Sequence, residues 1–273
     1  MRTSEWIVAG YLLYLVVLAW TRPLGADRRL LVTSVALADG ACVWWLSHAD
    51  ERFGLIARDW LPGLQILIGY WLSGAFFTQP MLRAEATLAG WDVVLFRQLG
   101  VASFTRRAPR WLLECLEVAY LTVYVVVPLG FGVMYLFAPG RPVDSYWTIV
   151  LTAELACYAV LPWVQTRPPR SIRMQVDIDD RGLRVRQLNL RVLGGGSIQA
   201  NTIPSGHAAG AFATALAAGT YVPPALVPLM VLAASITIAS VIGRYHYGLD
   251  ALLGVLVAFG AWGVRLGGSG LGP

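Results

Sequence analysis

Eight apolar runs dominate the chain, near residues 6–21, 30–47, 60–78, 114–137, 146–164, 206–222, 225–243 and 247–266. A helix needs ~20 mostly apolar residues to cross a bilayer, and eight such runs leave little chain for anything else. No polar stretch between them is long enough to enclose its own core. Charge agrees: 14% of the 273 residues are charged and 57% are hydrophobic, whereas a soluble domain carries roughly 25% charged residues. A wholly water-exposed surface cannot be built from so little charge. The pattern predicts an all-α, polytopic transmembrane helix bundle of about eight spans. Trp6 and Trp20 bracket the first run, and Trp147 and Trp163 the fifth, as interfacial anchors do.

Two connections are long. Residues 79–113 mix Arg83, Arg97, Arg106, Arg107 and Arg110 with Trp91, Leu95 and Phe96, which predicts a helix lying in the interface plane. Residues 165–205 are the most polar part of the chain. There MQVDI and LRVRQL alternate around Asp179-Asp180-Arg181-Gly182, the pattern of a short hairpin. Gly194, Gly195 and Gly196 read as a flexible approach to the next helix. The net charge of +5 rests on arginine alone, with 21 Arg and no Lys. A genome rich in G and C accounts for that bias, but not for where individual arginines sit. Cys42, Cys115 and Cys157 are odd in number and lie in or beside apolar runs, so they read as packing residues. Acidic Glu5 precedes the first run with no clear cleavage site after it, unlike a cleaved signal. His48, at the end of the second run, reads as an interfacial residue.

Three acids, Asp39, Glu117 and Glu154, fall inside apolar runs. Intramembrane acids mark ion paths or bond to neighbouring helices, and none of the three has a partner visible in the sequence.

The apolar pattern is interrupted three times by residues with chemistry. Gln165-Thr166-Arg167-Pro168-Pro169-Arg170 ends the fifth run. Its prolines stop the helix and leave Arg167 and Arg170 at the membrane surface. Asn201-Thr202-Ile203-Pro204-Ser205-Gly206-His207 leads a loop into a helix. Free N–H groups and the dipole make a helix N-terminus a phosphate site; Gly206 permits close approach, Ser205 adds a hydroxyl and His207 stands where its ring reaches the same anion. Gly243-Arg244-Tyr245-His246-Tyr247-Gly248-Leu249-Asp250 comes third. At i and i+4 on a helix, Asp250 shares a face with His246. It can accept a hydrogen bond from one ring nitrogen and leave the other as nucleophile or base. Arg244 is close enough to neutralise a bound phosphate. Each interruption alone has a bland reading, as interfacial arginines, a helix cap or a structural His–Asp pair. Their order, their position at run ends and the concentration of two of the three histidines make the combination specific.

PSGH followed by HYxxD resembles the type 2 phosphatidic acid phosphatase superfamily of integral-membrane lipid phosphatases. GSIQANTIPSGHAAG and GRYHYGLDALLG resemble its bacterial branch related to inositol phosphorylceramide synthases. The resemblance covers roughly residues 60–266, with the strong motifs in 165–254. It implies a six-helix phosphatase-like core in 60–266, N-terminal transmembrane helices outside that core in 1–59, and a Gly-rich tail in 267–273. It further implies that His246 attacks phosphorus to give a phosphohistidine, Asp250 orients it and His207 protonates the leaving oxygen. Arg167, Arg170, Ser205 and the Gly206 backbone would hold the phosphoryl oxygens, with Arg244 beside them. No cofactor or metal is implied. Two positions depart from the family pattern: Val160 stands where a lysine usually opens the first motif, and Ser240 where the third motif has an arginine. Arg244 lies one helical turn later and is the candidate replacement.

The expected activity is dephosphorylation of a lipid phosphate in a bacterial inner (plasma) membrane, or transfer of the phosphoryl group to an alcohol. Rival readings are a transporter that uses Asp39, Glu117 and Glu154, and a silent membrane scaffold. The expected partners are the lipid substrate and membrane lipids, not nucleic acid. The sequence assigns neither an oligomeric state nor the membrane face of the site.

Overall fold

A computed structural model describes residues 1–49, 52–172 and 182–268. Twelve α-helices are described. The N-terminal ones are α1 (Thr3–Thr21), α2 (Ala26–Ser47), α3 (Arg52–Gly74), α4 (Leu82–Val93), α5 (Val101–Arg107) and α6 (Arg110–Leu121). They are followed by α7 (Val123–Phe137), α8 (Val143–Val160), α9 (Arg184–Gly196), α10 (Gly206–Tyr221), α11 (Pro223–Ile242) and α12 (Gly248–Gly268). Among the described residues the one extended pairing is an isolated bridge between Thr166 and Asn201. The chain is an all-α helical bundle.

All eight apolar runs fold as helix, but not as eight equal spans. Four helices, α1, α2, α11 and α12 as far as Arg265, are each long and apolar enough to cross a membrane. A fifth candidate is the pair α6 and α7, which meet at a 62° bend. The bend falls at Thr122, whose hydroxyl donates to the Ala119 carbonyl at 2.6 Å. Pro128 lies one turn and a half beyond it and interrupts the α7 ladder. Helices α8 and α10 are interior elements. α8 buries Thr148 and Glu154 among its apolar residues, and α10 has 16 residues, mostly alanine and glycine.

α10 packs against α7, α8, α11 and α12, and α8 packs in turn against α1, α3 and α12. Small side chains let these backbones approach closely. At Gly254 of α12 an added Cβ would run into the Ser205 carbonyl and the first turn of α10. The approach is fixed by backbone, not by a side chain that could turn aside. α1 belongs to the same core: Leu15 and Ala19 are fully buried in it, Tyr14 donates to the Ala159 carbonyl of α8 at 2.7 Å, and Asp144 accepts the Thr3 and Ser4 amides.

Three local expectations are corrected. Residues 184–196 are helix α9, not the second strand of a hairpin; MQVDI lies outside the described residues. The Arg184 and Val185 amides, free at the start of a helix, are taken by the Glu114 carboxylate of α6 at 2.8 and 3.0 Å. That tertiary cap selects helix over the alternating pattern. Gly194–Gly196 form the last turn of α9 instead of a flexible approach. Trp147 is buried, 1% exposed, with its indole donating to the Asp59 carbonyl. It is a core residue because α8 is surrounded; Trp6, Trp20 and Trp163 remain exposed. Residues 79–113 are indeed helical, broken between α4 and α5 by a π-helical turn over Val94–Gln98.

Gly254→Ala is expected to destabilise the protein by about 1–3 kcal/mol. Gly260→Ala, on the same helix with nothing within 4 Å of the added Cβ, should be neutral or stabilising by about 0.5–1 kcal/mol. Thermal unfolding of the detergent-solubilised variants separates the two; equal midpoints would contradict the packing described.

Candidate active site

The loop before α10, the loop between α11 and α12, and the segment after α8 meet at one place. Asn201 pairs with Thr166 through its amide, which donates to the Thr166 carbonyl at 2.7 Å. Its side chain donates to Asp250 Oδ2 at 2.8 Å. The same oxygen accepts the Tyr247 amide at 3.0 Å, and the Asp250 carbonyl accepts the Ser205 amide at 2.9 Å. Asp250 is fully buried, so the two bonds to Oδ2 count against the cost of removing a carboxylate from water.

That lattice brings the two histidines together, with their rings tilted by 59°. His207 Nδ1 lies 2.9 Å from His246 Nε2, and the ring centroids are 5.1 Å apart. One proton occupies this contact, so one ring donates and the other accepts. His246 Nδ1 points towards Asp250 Oδ2 at 3.7 Å, too long for a hydrogen bond. Among the described residues, His246 Nδ1 and Asp250 Oδ1 are buried without a partner. The pair is aligned but open. A proton on Nδ1, facing the carboxylate, leaves the lone pair of Nε2 directed at His207.

Both rings line a cavity of about 600 Å³. Arg170 enters the same cavity, with its guanidinium carbon 5.9 Å from the Tyr245 ring centre. Tyr245 stacks on Tyr120 at 3.8 Å, and Tyr120 lies 5.8 Å from the His207 ring. The Tyr245 hydroxyl donates to Glu117 at 2.6 Å, and Glu117 also takes bonds from Asn189 and Arg186. Away from the histidines the wall is largely apolar: Trp60, Leu64 and Leu67 of α3, and Val123, Val127 and Pro128 inside the elbow of α6 and α7. Burial holds the His246 imidazole far below its ordinary value, at about 3, and the positive charge of Arg170 pushes the same way. His246 is therefore a neutral base at physiological pH.

The remaining sequence candidates sit elsewhere. Ser205 is the N-cap of α10, its hydroxyl accepting the Ala208 amide. The Gly206 amide goes to the Thr202 hydroxyl, and Gly206 itself lies against the Tyr158 ring. Neither residue lines the cavity. Arg244, at φ 61°, donates from its side chain to the Pro169 carbonyl, and its own carbonyl accepts the Arg170 amide. It braces Arg170 and stands outside the cavity wall. Arg167 is bound by Glu85 of α4 and is likewise absent from the wall. Among the described residues Arg170 has no carboxylate partner, so its charge is the one offered to an anion in the cavity.

A profile described as the PAP2 superfamily matches residues 88–264. The chain belongs to the PAP2 superfamily. No curated protein and no solved structure matches it. PAP2 proteins are membrane enzymes of the phosphatase and phosphotransferase type, and the four or five apolar spans agree with an integral membrane member. The matched region begins after α3, yet α3 supplies one wall of the cavity.

Sequence reasoning missed Asn201, Glu85 and the Tyr120–Tyr245 stack. Asn201 lies within GSIQANTIPSGHAAG, but an uncharged amide carries no spacing signal for a carboxylate 49 residues away. The intramembrane acids have partners that only folding supplies: Asp39 accepts both oxygens' bonds from Gln65, and Glu154 accepts from Tyr158. Glu117 has its own partners in Tyr245, Asn189 and Arg186.

Removing a positive charge next to a base raises its pKa. In Arg170→Gln the acid limb of kcat/KM is thus expected to move to higher pH, together with a rise in KM. A pH–rate profile with an unmoved limb would show that Arg170 does not face His246.

Proposed function

We infer that the protein dephosphorylates a lipid phosphate through a phosphohistidine at His246. The observation that carries this reading is the His207–His246 contact, backed by Asp250 and set beside Arg170 in a largely apolar cavity. Two nitrogens 2.9 Å apart leave no room for phosphorus between them, so the phosphoryl group must part the rings as it enters. His246 Nε2 then attacks from one side and the leaving oxygen departs on the His207 side, where His207 donates its proton. As the His246 ring gains positive charge, attraction closes the 3.7 Å gap to Asp250. Arg170 balances charge on the phosphoryl oxygens. Water attacks the phosphohistidine in a second step, with His207 now accepting a proton, and inorganic phosphate leaves. The apolar wall suits acyl chains, and α3 and α7 carry exposed Leu64, Leu67 and Val125 that would face lipid. Following the family chemistry, the reaction needs no metal and should continue in a chelator.

A second reading, transfer to an alcohol as in inositol phosphorylceramide synthases, is favoured by one feature. Glu154 and Tyr158 share the cavity wall with His207 and form a carboxyl–phenol pair that an acceptor hydroxyl could join.

Purified protein offered a panel of lipid phosphates should release inorganic phosphate. His246→Ala should lose about 10³-fold or more of that rate, along with any acid-labile phosphoenzyme trapped by quenching. Equal release by wild type and His246→Ala would refute the mechanism. A phosphorylated alcohol appearing when lipid alcohols are added would assign the second reading.

A further inference from the structure

Helix α4 lies outside the cavity yet holds two of the three segments that carry the site. Its buried residues are Glu85, Leu88 and Asp92, spaced to share one face. Glu85 is 4% exposed and takes three hydrogen bonds from Arg167: from the amide at 2.8 Å, from Nε at 3.0 Å and from Nη2 at 2.7 Å. This is the two-pronged geometry in which a guanidinium fork saturates a carboxylate. Asp92 is 2% exposed, and its Oδ1 accepts the Gly248 amide, the first of α12, at 2.9 Å.

The two attachment points bracket the chemistry. Arg167 lies three residues before Arg170, and Gly248 two residues after His246. Between them the loops are tied to each other by the Arg170 amide on the Arg244 carbonyl at 3.0 Å, by the Arg244 side chain on the Pro169 carbonyl, and by the Tyr247 hydroxyl on the Arg167 carbonyl at 3.1 Å. The backbone before Arg167 is fastened as well: the Met81 amide donates to the Gln165 carbonyl at 2.7 Å, and Gln165 Oε1 accepts the Thr78 amide at 2.7 Å. A guanidinium with Nε and Nη2 spent on Glu85, outside the cavity wall, is placed to hold backbone and not to grip a phosphate.

We propose that α4 is a brace for the active site, that Glu85 and Asp92 are its positioning residues, and that Arg167 acts through Glu85 instead of binding phosphate. This rests on the phosphohydrolase reading above, so its test includes a readout that needs no turnover.

Glu85→Gln, Arg167→Gln and the double variant are compared with Arg170→Gln. Steady-state kinetics on a lipid phosphate, with inorganic phosphate as competitive inhibitor, gives kcat and the inhibition constant. Hydrogen exchange of segments 165–172 and 243–248 is followed by mass spectrometry. A brace predicts that Glu85→Gln and Arg167→Gln each lower kcat by about ten- to a hundred-fold, that the double variant is no worse than the weaker single, and that phosphate inhibition changes little. Exchange in both segments should rise. Arg170→Gln, in contrast, should weaken phosphate inhibition. If Glu85→Gln keeps full kcat while Arg167→Gln weakens phosphate inhibition in either background, Arg167 is a phosphate ligand and the proposal falls. Should Glu85→Gln not fold, Glu85→Asp, which withdraws the carboxylate by one methylene, is read by the same two criteria. If wild type releases no phosphate from any lipid, the functional reading fails alone, and the exchange of 165–172 and 243–248 in Glu85→Gln still decides the brace: faster exchange supports it and unchanged exchange overturns it.

Discussion

One buried carboxylate holds the site segments in register. Asp250 accepts from Asn201 and Tyr247 through its side chain and from Ser205 through its carbonyl, and Asn201 carries the connection on to Thr166. Three stretches of chain that are distant in sequence thereby share one anchor. Such a group is costly to bury and is retained only where its bonds are made. Its unbonded Oδ1 and the unbonded Nδ1 of His246 are the exception within the pair.

Around that anchor, the bundle supplies closeness and the outer helices supply shape. Alanine and glycine on α10 bring α7, α8, α11 and α12 near enough for the short loop between α11 and α12 to present His246 to His207 in the first turn of α10. The elbow at Thr122 turns α6 away from α7 and leaves the apolar recess beside the histidines. α3, from outside the region shared with the PAP2 superfamily, closes one side of it. Variation in α3 would therefore reshape that wall without touching the two histidines.

The class of fold was legible because lipid imposes it: few charges and long apolar runs have one economical solution. The two histidines were legible because rare residues interrupt an apolar background at helix ends, and His207, His246 and Arg170 do meet in one cavity. Less legible was anything settled by a partner far along the chain. LRVRQL alternates like a strand, yet Glu114 caps it as a helix. Arg167 carries the same charge as Arg170, three residues away, yet Arg167 pairs with Glu85 while Arg170 lies in the cavity beside Tyr245. Trp147 matched an interfacial anchor by position and is buried because α8 has neighbours on every side. Composition reports the solvent of a helix face, but not which other helix replaces that solvent.

The shortness of α10 bears on how the protein comes to be made. A helix of 16 residues, rich in alanine and glycine, falls below the ~20 apolar residues that hold an isolated segment in a bilayer. It must be retained by companions, and the neighbour that follows it directly, α11, is long and strongly apolar. The His207 half of the candidate site therefore waits for the later helices to insert, and the His246–Asp250 half follows with the loop that leads into α12. A chain arrested before that loop would hold His207 without the His246–Asp250 pair that faces it.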